Sequence, residues 1–280
     1  MTKYAVLSDI HANLAALDVV LDDIDERNIE EIIVLGDVIG YGPSPRECWK
    51  EISEQATFIL IGDHEQDVIS NARPADEMAA WTAKKMKNLD SWDAFARMTK
   101  TNLTEHAQKI YEGNFFVHAA PKNTTKERIW PGYEDFYISY NSQLDKRLQG
   151  FMNDFPTDHG FFGHTHIPTV MTGYENCSIF DTGGPWNKEL TFIGPNSIFY
   201  VPKGNTRIDN IEGKLVFINP GSVGQPKDGD NRACYAIYDE NSIEFIRLEY
   251  DIEETKGKLE KLSVDKEITS HLSERLQKGL

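Results

Sequence analysis

The sequence predicts an α/β fold organised around a parallel β-sheet. Three observations carry this expectation. Five short apolar runs, KYAVLS, EIIVLG, FILIG, FFV and GFFG, are rich in β-branched and aromatic residues, as strands buried on both faces are. Segments of helical periodicity separate the first three runs, and parallel strands are joined by such crossovers. Each run is followed directly by Asp or His, and open α/β sheets carry their sites at the carboxyl ends of strands.

The elements follow in order. The N-terminal MTKYAVLSDIHANL lacks a basic leader region and a long apolar run, so it reads as a first strand rather than a signal peptide. It ends in Asp9-Ile10-His11. Residues 13–27 place Leu14, Leu17, Leu21 and Ile24 on one helix face, with Asn13 as N-cap. EIIVLG leads into Asp37, and a second helix starts at Ser44 with Pro45 in its first turn. FILIG leads into Asp63, His64 and Glu65. Residues 66–113 read as helical over 75–89 and 91–99; Met78, Trp81, Trp92 and Phe95 there serve either ordinary packing or a lid. FFV leads into His118. Residues 128–140, RIWPGYEDFYISY, offer five aromatics, either to stack a base or sugar or to pack a helix over 141–154. GFFG leads into His164-Thr165-His166. Residues 174–213 read as hairpins, LVFINPGSVG as a strand and turn, and ACYAIYD with SIEFIRLEY as an antiparallel pair. Residues 251–280 read as charged helix whose Ile252, Leu259, Leu262, Ile268, Leu272 and Leu276 cover the sheet or form a homodimer contact. The whole is expected to be one domain, residues 1–280, with its core in 1–250.

Composition narrows the function. No stretch approaches the ~18 apolar residues of a membrane span. Three scattered cysteines without metal spacing suit a reduced cytoplasm. A net charge of −16 disfavours a nucleic-acid partner, but leaves open a small phosphate-containing substrate held through metal ions.

A single apolar run ending in Asp is ordinary helix capping, and a lone histidine after a strand is ordinarily a hydrogen-bonded core residue. Five such endings, which take up five of the eight histidines, have no such account. In Asp9-x-His11 and His164-x-His166 the partners lie two apart, on the same side of an extended chain. Imidazoles and carboxylates without a thiolate suit divalent Mn, Fe, Zn, Ni or Co. About seven ligands are too many for one ion with an open position, and two ions sharing a carboxylate is the natural solution.

With these motifs the chain resembles the calcineurin-like metallophosphoesterases. The motifs stand as Asp9-x-His11, Gly36-Asp37-x-x-Gly40, Gly62-Asp63-His64-Glu65, His118 and Gly163-His164-x-His166. The segment 219–239, NPGSVGQPKDGDNRACYAIYD, resembles the bacterial and archaeal stand-alone branch. The resemblance implies a four-layer αββα sandwich of two mixed β-sheets flanked by helices. It implies two divalent metal ions: Asp9, His11 and His166 on the first, Asp63, His118 and His164 on the second, and Asp37 bridging. It gives His64 the role of contacting the phosphate and protonating the leaving oxygen, Glu65 that of orienting the His64 imidazole, and a metal-bridging hydroxide that of in-line nucleophile. The expected function is hydrolysis of a small or medium phosphate ester, a phosphodiester or nucleotide first. Arg232 is a further candidate for the substrate phosphate, an ordinary salt bridge being the alternative. Two departures matter. The protein phosphatases of the superfamily carry Asp-Arg where Gly40-Tyr41 stand, which disfavours a phosphoprotein substrate; and Asp63 stands where the third motif ordinarily has Asn. A non-catalytic scaffold of the same fold is disfavoured by the retained histidines, and a nuclease by the acidic charge.

Overall fold

The computed structural model describes residues 3–70, 72–100, 102–130, 142–180 and 191–280. The chain begins β1 (Tyr4–Leu7), α1 (Leu14–Glu26), β2 (Glu31–Val34), α2 (Pro45–Gln55), β3 (Phe58–Ile59) and α3 (Asp63–Ile69). It continues through α4 (Glu77–Met86), α5 (Asp90–Thr99), α6 (Leu103–His106), β4 (Gln108–Tyr111), β5 (Asn114–Val117), α7 (Ser142–Asp154), β6 (His159–Phe161) and β7 (Thr169–Gly173). After a 3₁₀ segment at Tyr174–Phe180 come β8 (Thr191–Ile193), β9 (Ser197–Tyr200), β10 (Thr206–Asp209), β11 (Val216–Asn219), β12 (Ala233–Asp239) and β13 (Ser242–Leu248). Two helices, α8 (Ile252–Leu259) and α9 (Lys266–Lys278), close the chain.

The strands form two mixed sheets, ordered β10-β13-β12-β1-β2-β3 and β4-β5-β6-β11-β7-β9-β8. β1, β2 and β3 run parallel, and β12 pairs antiparallel with β1. In the second sheet β5, β6 and β11 run parallel. All four side chains of β1 are buried because alternate residues enter different layers. Ala5 and Leu7 join Leu17, Val20, Trp49 and Ile52 of α1 and α2, while Tyr4 and Val6 meet Phe116, Phe161 and Ile218 of the other sheet. On the far side, Phe115, Val117 and Phe217 pack on Leu148 and Phe151 of α7. The layers are therefore helix, sheet, sheet, helix, as expected.

Asn13 caps α1 by accepting from the Ala16 amide at 3.4 Å. Two expectations change. The run FILIG is a strand only over Phe58–Ile59, and Gly62 becomes the N-cap of α3, so Asp63 and His64 sit in a first helical turn. The ligand-type residues do not share one sheet edge: Asp9, Asp37 and Asp63 follow the first sheet's parallel strands, and His118, His164 and His166 follow the second's. Of the packing and lid alternatives for the helical segment, Trp92 and Phe95 of α5 take packing, each 4.8 Å from Trp49 of α2. The terminal leucines Leu259, Leu272 and Leu276 are buried within the chain, against Met78 of α4. Most of the aromatic segment 128–140 and part of the hairpin region 174–213 fall in 131–141 and 181–190, outside the described residues. Among the described residues, no helix is long and apolar enough to cross a membrane.

Candidate metal centre

At three of the strand ends the chain turns sharply at the ligand-type residues. Asp9, His11, Asp37, His164 and His166 all adopt left-handed backbone, with φ of 54°, 47°, 53°, 65° and 62°. Non-glycine residues rarely do so, and such strain gathers at functional sites. Glycine lets the turns nest. A Cβ on Gly62 would lie 2.1 Å from Asp37 Oδ1, so only glycine allows α3 to start against that carboxylate.

Two groups of donors result, Asp9 with His11 and His166, and Asp37 with Asp63, His118 and His164. His11 Nε2 and His166 Nε2 are 3.1 Å apart, and Asp9 Oδ1 lies 3.8 and 3.4 Å from them. Asp63 Oδ1 lies 3.4 Å from His118 Nε2 and 3.1 Å from His164 Nδ1. Asp37 Oδ2 stands 3.7 Å from His11 Nε2 and 3.5 Å from His118 Nε2, and so faces both groups.

Five of these side chains are also held by the protein at their other polar atom. His11, His118 and His166 donate from Nδ1 to the carbonyls of Ile39, Leu35 and Gln225 at 3.2, 3.0 and 2.6 Å, which leaves Nε2 as the free lone pair. Asp9 Oδ2 accepts from Ser8 Oγ at 2.6 Å and the His164 amide at 3.0 Å, while its Oδ1 is buried without a hydrogen-bond partner. Asp37 Oδ1 accepts from the His64 amide at 3.0 Å. Burial raises the pKa of Asp9 and Asp37, and for Asp37 the carboxylates of Asp63, Glu65 and Asp9 add to it. Burial keeps His11 and His166 well below the usual imidazole range, hence neutral. For Asp63, burial is outweighed by the His118 and His164 imidazoles 3.4 and 3.1 Å away, which hold its carboxyl low. An orphaned buried carboxylate oxygen, crowded acidic groups and imidazole lone pairs turned inward are what divalent cations require of a site. The residues fit divalent cations, with Asp37 facing both groups.

His64 lies beside these groups. Its ring centroid is 4.9 Å from that of His11 and 4.5 Å from that of Tyr41, and it packs so closely on Gly40 that a Cβ there would be 2.1 Å from His64 Nδ1. With His11 and Asp37 it makes a third set of clustered donors. Burial lowers its pKa, against the pull of the Asp63 carboxylate. Glu65 does not orient it, contrary to expectation. The Glu65 carboxylate instead accepts from the amides of Asp37, Ile39 and Gly62 at 2.8, 3.1 and 2.9 Å. It ties the loop after β2 to the start of α3, because a fully buried carboxylate needs donors and these amides have no strand partner.

Arg232 is forked onto Asp230 at 2.9 and 2.6 Å, the salt-bridge alternative, and among the described residues no hydrogen bond or ion pair joins it to the donor groups. The cation that does reach them is Lys227, whose Nζ donates to His166 Nε2 at 3.2 Å. Burial and the Arg275 guanidinium lower its pKa to about 8. Arg275 of α9 lies over the Tyr41 ring at 5.4 Å. The sequence reading singles out Arg232 as the one cation near the NPGSVG turn and misses Lys227, five residues earlier; Arg275, far along the chain, carries no local signal.

The model of the calcineurin-like phosphoesterases matches residues 2–168, the span that supplies every donor described above. The chain belongs to the calcineurin-like phosphoesterase family. Members of this family are metal-dependent phosphoric ester hydrolases, and so is this chain. It is 32% identical over 286 residues to the uncharacterized protein MJ0912 of Methanocaldococcus jannaschii, covering 98% of this chain and 97% of that one. A crystal structure of a metallophosphoesterase from Sphaerobacter thermophilus aligns with TM-score 0.74 and 28% identity over 99% of this chain and 100% of that one. The hypothetical protein PH1004 of Pyrococcus horikoshii OT3 shares the fold, with TM-score 0.59 and 18% identity over 97% of this chain and 98% of that one.

Proposed function

We propose that this phosphoesterase hydrolyses a small or medium phosphate ester, a phosphodiester or nucleotide before a phosphoprotein, by in-line displacement. The reading is carried by the two carboxylate–imidazole groups that share Asp37. Asp9, His11 and His166 would hold one divalent ion and Asp63, His118 and His164 a second, drawn from Mn, Fe, Zn, Ni or Co by donor chemistry. When bound, such ions acidify water for the attack and neutralise the phosphoryl oxygens. The chain's own part is positional and protic. The imidazole of His64, packed through Nδ1 on Gly40, turns its other nitrogen to the ester and gives a proton to the leaving oxygen, and the anionic substrate beside it favours its charged form. Lys227 adds positive charge for the phosphate. Tyr41 packs against His11 and His64 where an Arg would clamp a phosphoprotein substrate, which supports a small ester. The free cysteines support a reducing, cytoplasmic setting.

The test is hydrolysis of mono-, di- and cyclic phosphate esters with and without added Mn, run on the wild type and His64→Ala. The variant should keep its ions by elemental analysis and lose roughly 10²–10⁴-fold in turnover. Loss of an ion with the imidazole would make His64 a ligand through the set it forms with His11 and Asp37, and would end the proton-donor assignment.

A further inference from the structure

A cavity of about 180 Å³ opens directly beside His64, between α3 and α4. Its wall is mostly apolar, with Val68, Met78, Ala79 and Ala83, as ligand sites generally are. Two polar features stand out. Asp67 and Asp76 line it with no Lys or Arg among the described lining residues, and the site's cations Lys227 and Arg275 lie outside it. Thr82 also lines it, 2% exposed, and its Oγ1 has no hydrogen-bond partner, although a helical threonine ordinarily bonds a carbonyl one turn back. Asp76 uses one oxygen to cap α4, accepting from the Ala79 amide at 2.8 Å. The third carboxylate at the mouth, Asp63, is turned to His118 and His164.

We propose that this cavity receives the leaving group, and that it selects a compact alcohol that is cationic or uncharged over one that carries an anion. The inference rests on the phosphoesterase reading with His64 as proton donor. The P–O bond to the alcohol breaks with its electron pair on the alcohol oxygen, that oxygen takes the His64 proton, and water supplies the new bond to phosphorus. The oxygen that accepts from His64 must lie where His64 lines the cavity, so the rest of the alcohol extends between α3 and α4. There the apolar wall takes its carbon skeleton, and Asp67 and Asp76 repel an anionic substituent and attract an ammonium. The phosphate stays outside, towards Lys227. Charge is thus divided across the site, positive at the phosphoryl end and negative at the alcohol end.

The experiment compares phosphate esters of choline, its neutral isostere 3,3-dimethylbutanol, and 3-hydroxypropanoate, each as monoester and as methyl phosphodiester, with Mn. The expected kcat/KM falls in that order, by about tenfold or more from first to last. In Asp67→Asn/Asp76→Asn, where Asn keeps the α4 cap, that ratio should contract to about threefold or less. Ala83→Leu should lower kcat/KM for the dimethylbutyl ester relative to the ethyl ester about tenfold, by filling the cavity. Free choline should bind the metal-free wild type more tightly than the double variant by saturation-transfer NMR. A wild-type ratio of one or less, or a ratio the double variant leaves unmoved, overturns the inference while the phosphoesterase reading stands. If no ester is turned over, that reading fails instead, and the choline measurement alone decides the cavity: equal binding to both proteins overturns it.

Discussion

Replacing Gly40 with alanine should disable His64 without touching a metal ligand. Gly40 has φ of +91°, and a Cβ there would lie 2.1 Å from His64 Nδ1, 2.7 Å from Cγ and 2.8 Å from Cε1. Ordinary van der Waals contact begins near 3.4 Å, so the imidazole must recede by more than about 1 Å. A displacement of that size at a reacting group costs on the order of 10²-fold, and complete loss of a general acid sets the upper bound at roughly 10⁴-fold. Left-handed backbone at a residue with a Cβ costs a further ~1–2 kcal/mol of stability. The assay is kcat with saturating Mn, beside ion content by elemental analysis and a thermal melt. We expect kcat to fall about 10²-fold with both ions retained and a modest drop in Tm. The decisive comparison is the double variant. With His64→Ala already present the new methyl meets no ring, so adding Gly40→Ala should lower kcat by less than about threefold. A second hundredfold loss in that background would refute the argument, because the substitution would then be acting through the backbone of the Asp37 loop.

Three further outcomes follow from the same geometry. Glu65→Gln should destabilise the protein by about 1–3 kcal/mol, since an amide cannot accept from three backbone N–H groups with both of its heavy atoms; denaturant unfolding that matches the wild type would remove its role as a loop tie. Asp63→Asn raises the net charge of the ligand set by about one unit, so the second ion should bind less tightly by calorimetry and the acidic limb of the kcat–pH profile should move to lower pH; an unmoved limb would contradict the charge argument. Asp145 of α7 is buried and accepts from Ser197 Oγ at 2.6 Å and Asn196 Nδ2 at 2.9 Å. Its burial raises its pKa, but these hydrogen bonds outweigh that and hold it below its ordinary value. Because the folded pKa is the lower one, its contribution is fully present above the unfolded value near 4 and is lost as pH falls through the folded one; Asp145→Asn should therefore flatten the acid limb of the stability–pH curve, and an unchanged slope would rule this out.

The sequence by itself determined which residues end the parallel strands. The strand signal is local: a buried parallel strand needs a continuous apolar run, and the polar residue that stops the run stands at its carboxyl end whatever the rest of the chain does. Asp9, Asp37, Asp63, His118 and the His164-x-His166 pair were legible for that reason, as were α1 with its Asn13 cap and the β12–β13 pair. The αββα layering followed from family resemblance and not from periodicity, because a strand buried on both faces does not say what covers each face. Tertiary structure decided the rest. Glu65 looked like a partner for the adjacent His64, but α3 starts at Gly62 and turns the Glu65 carboxylate to amides 26 and 28 residues earlier in the chain. Arg232 and Lys227 are both basic and five residues apart; the fold gives Asp230 to the first and aims the second at His166. The cavity beside His64 joins side chains of α3 and α4, and Arg275 reaches Tyr41 only because the apolar face of α9 seats Leu272 and Leu276 against Met78. A contact between distant segments depends on how whole layers dock, and no short window of sequence encodes that docking.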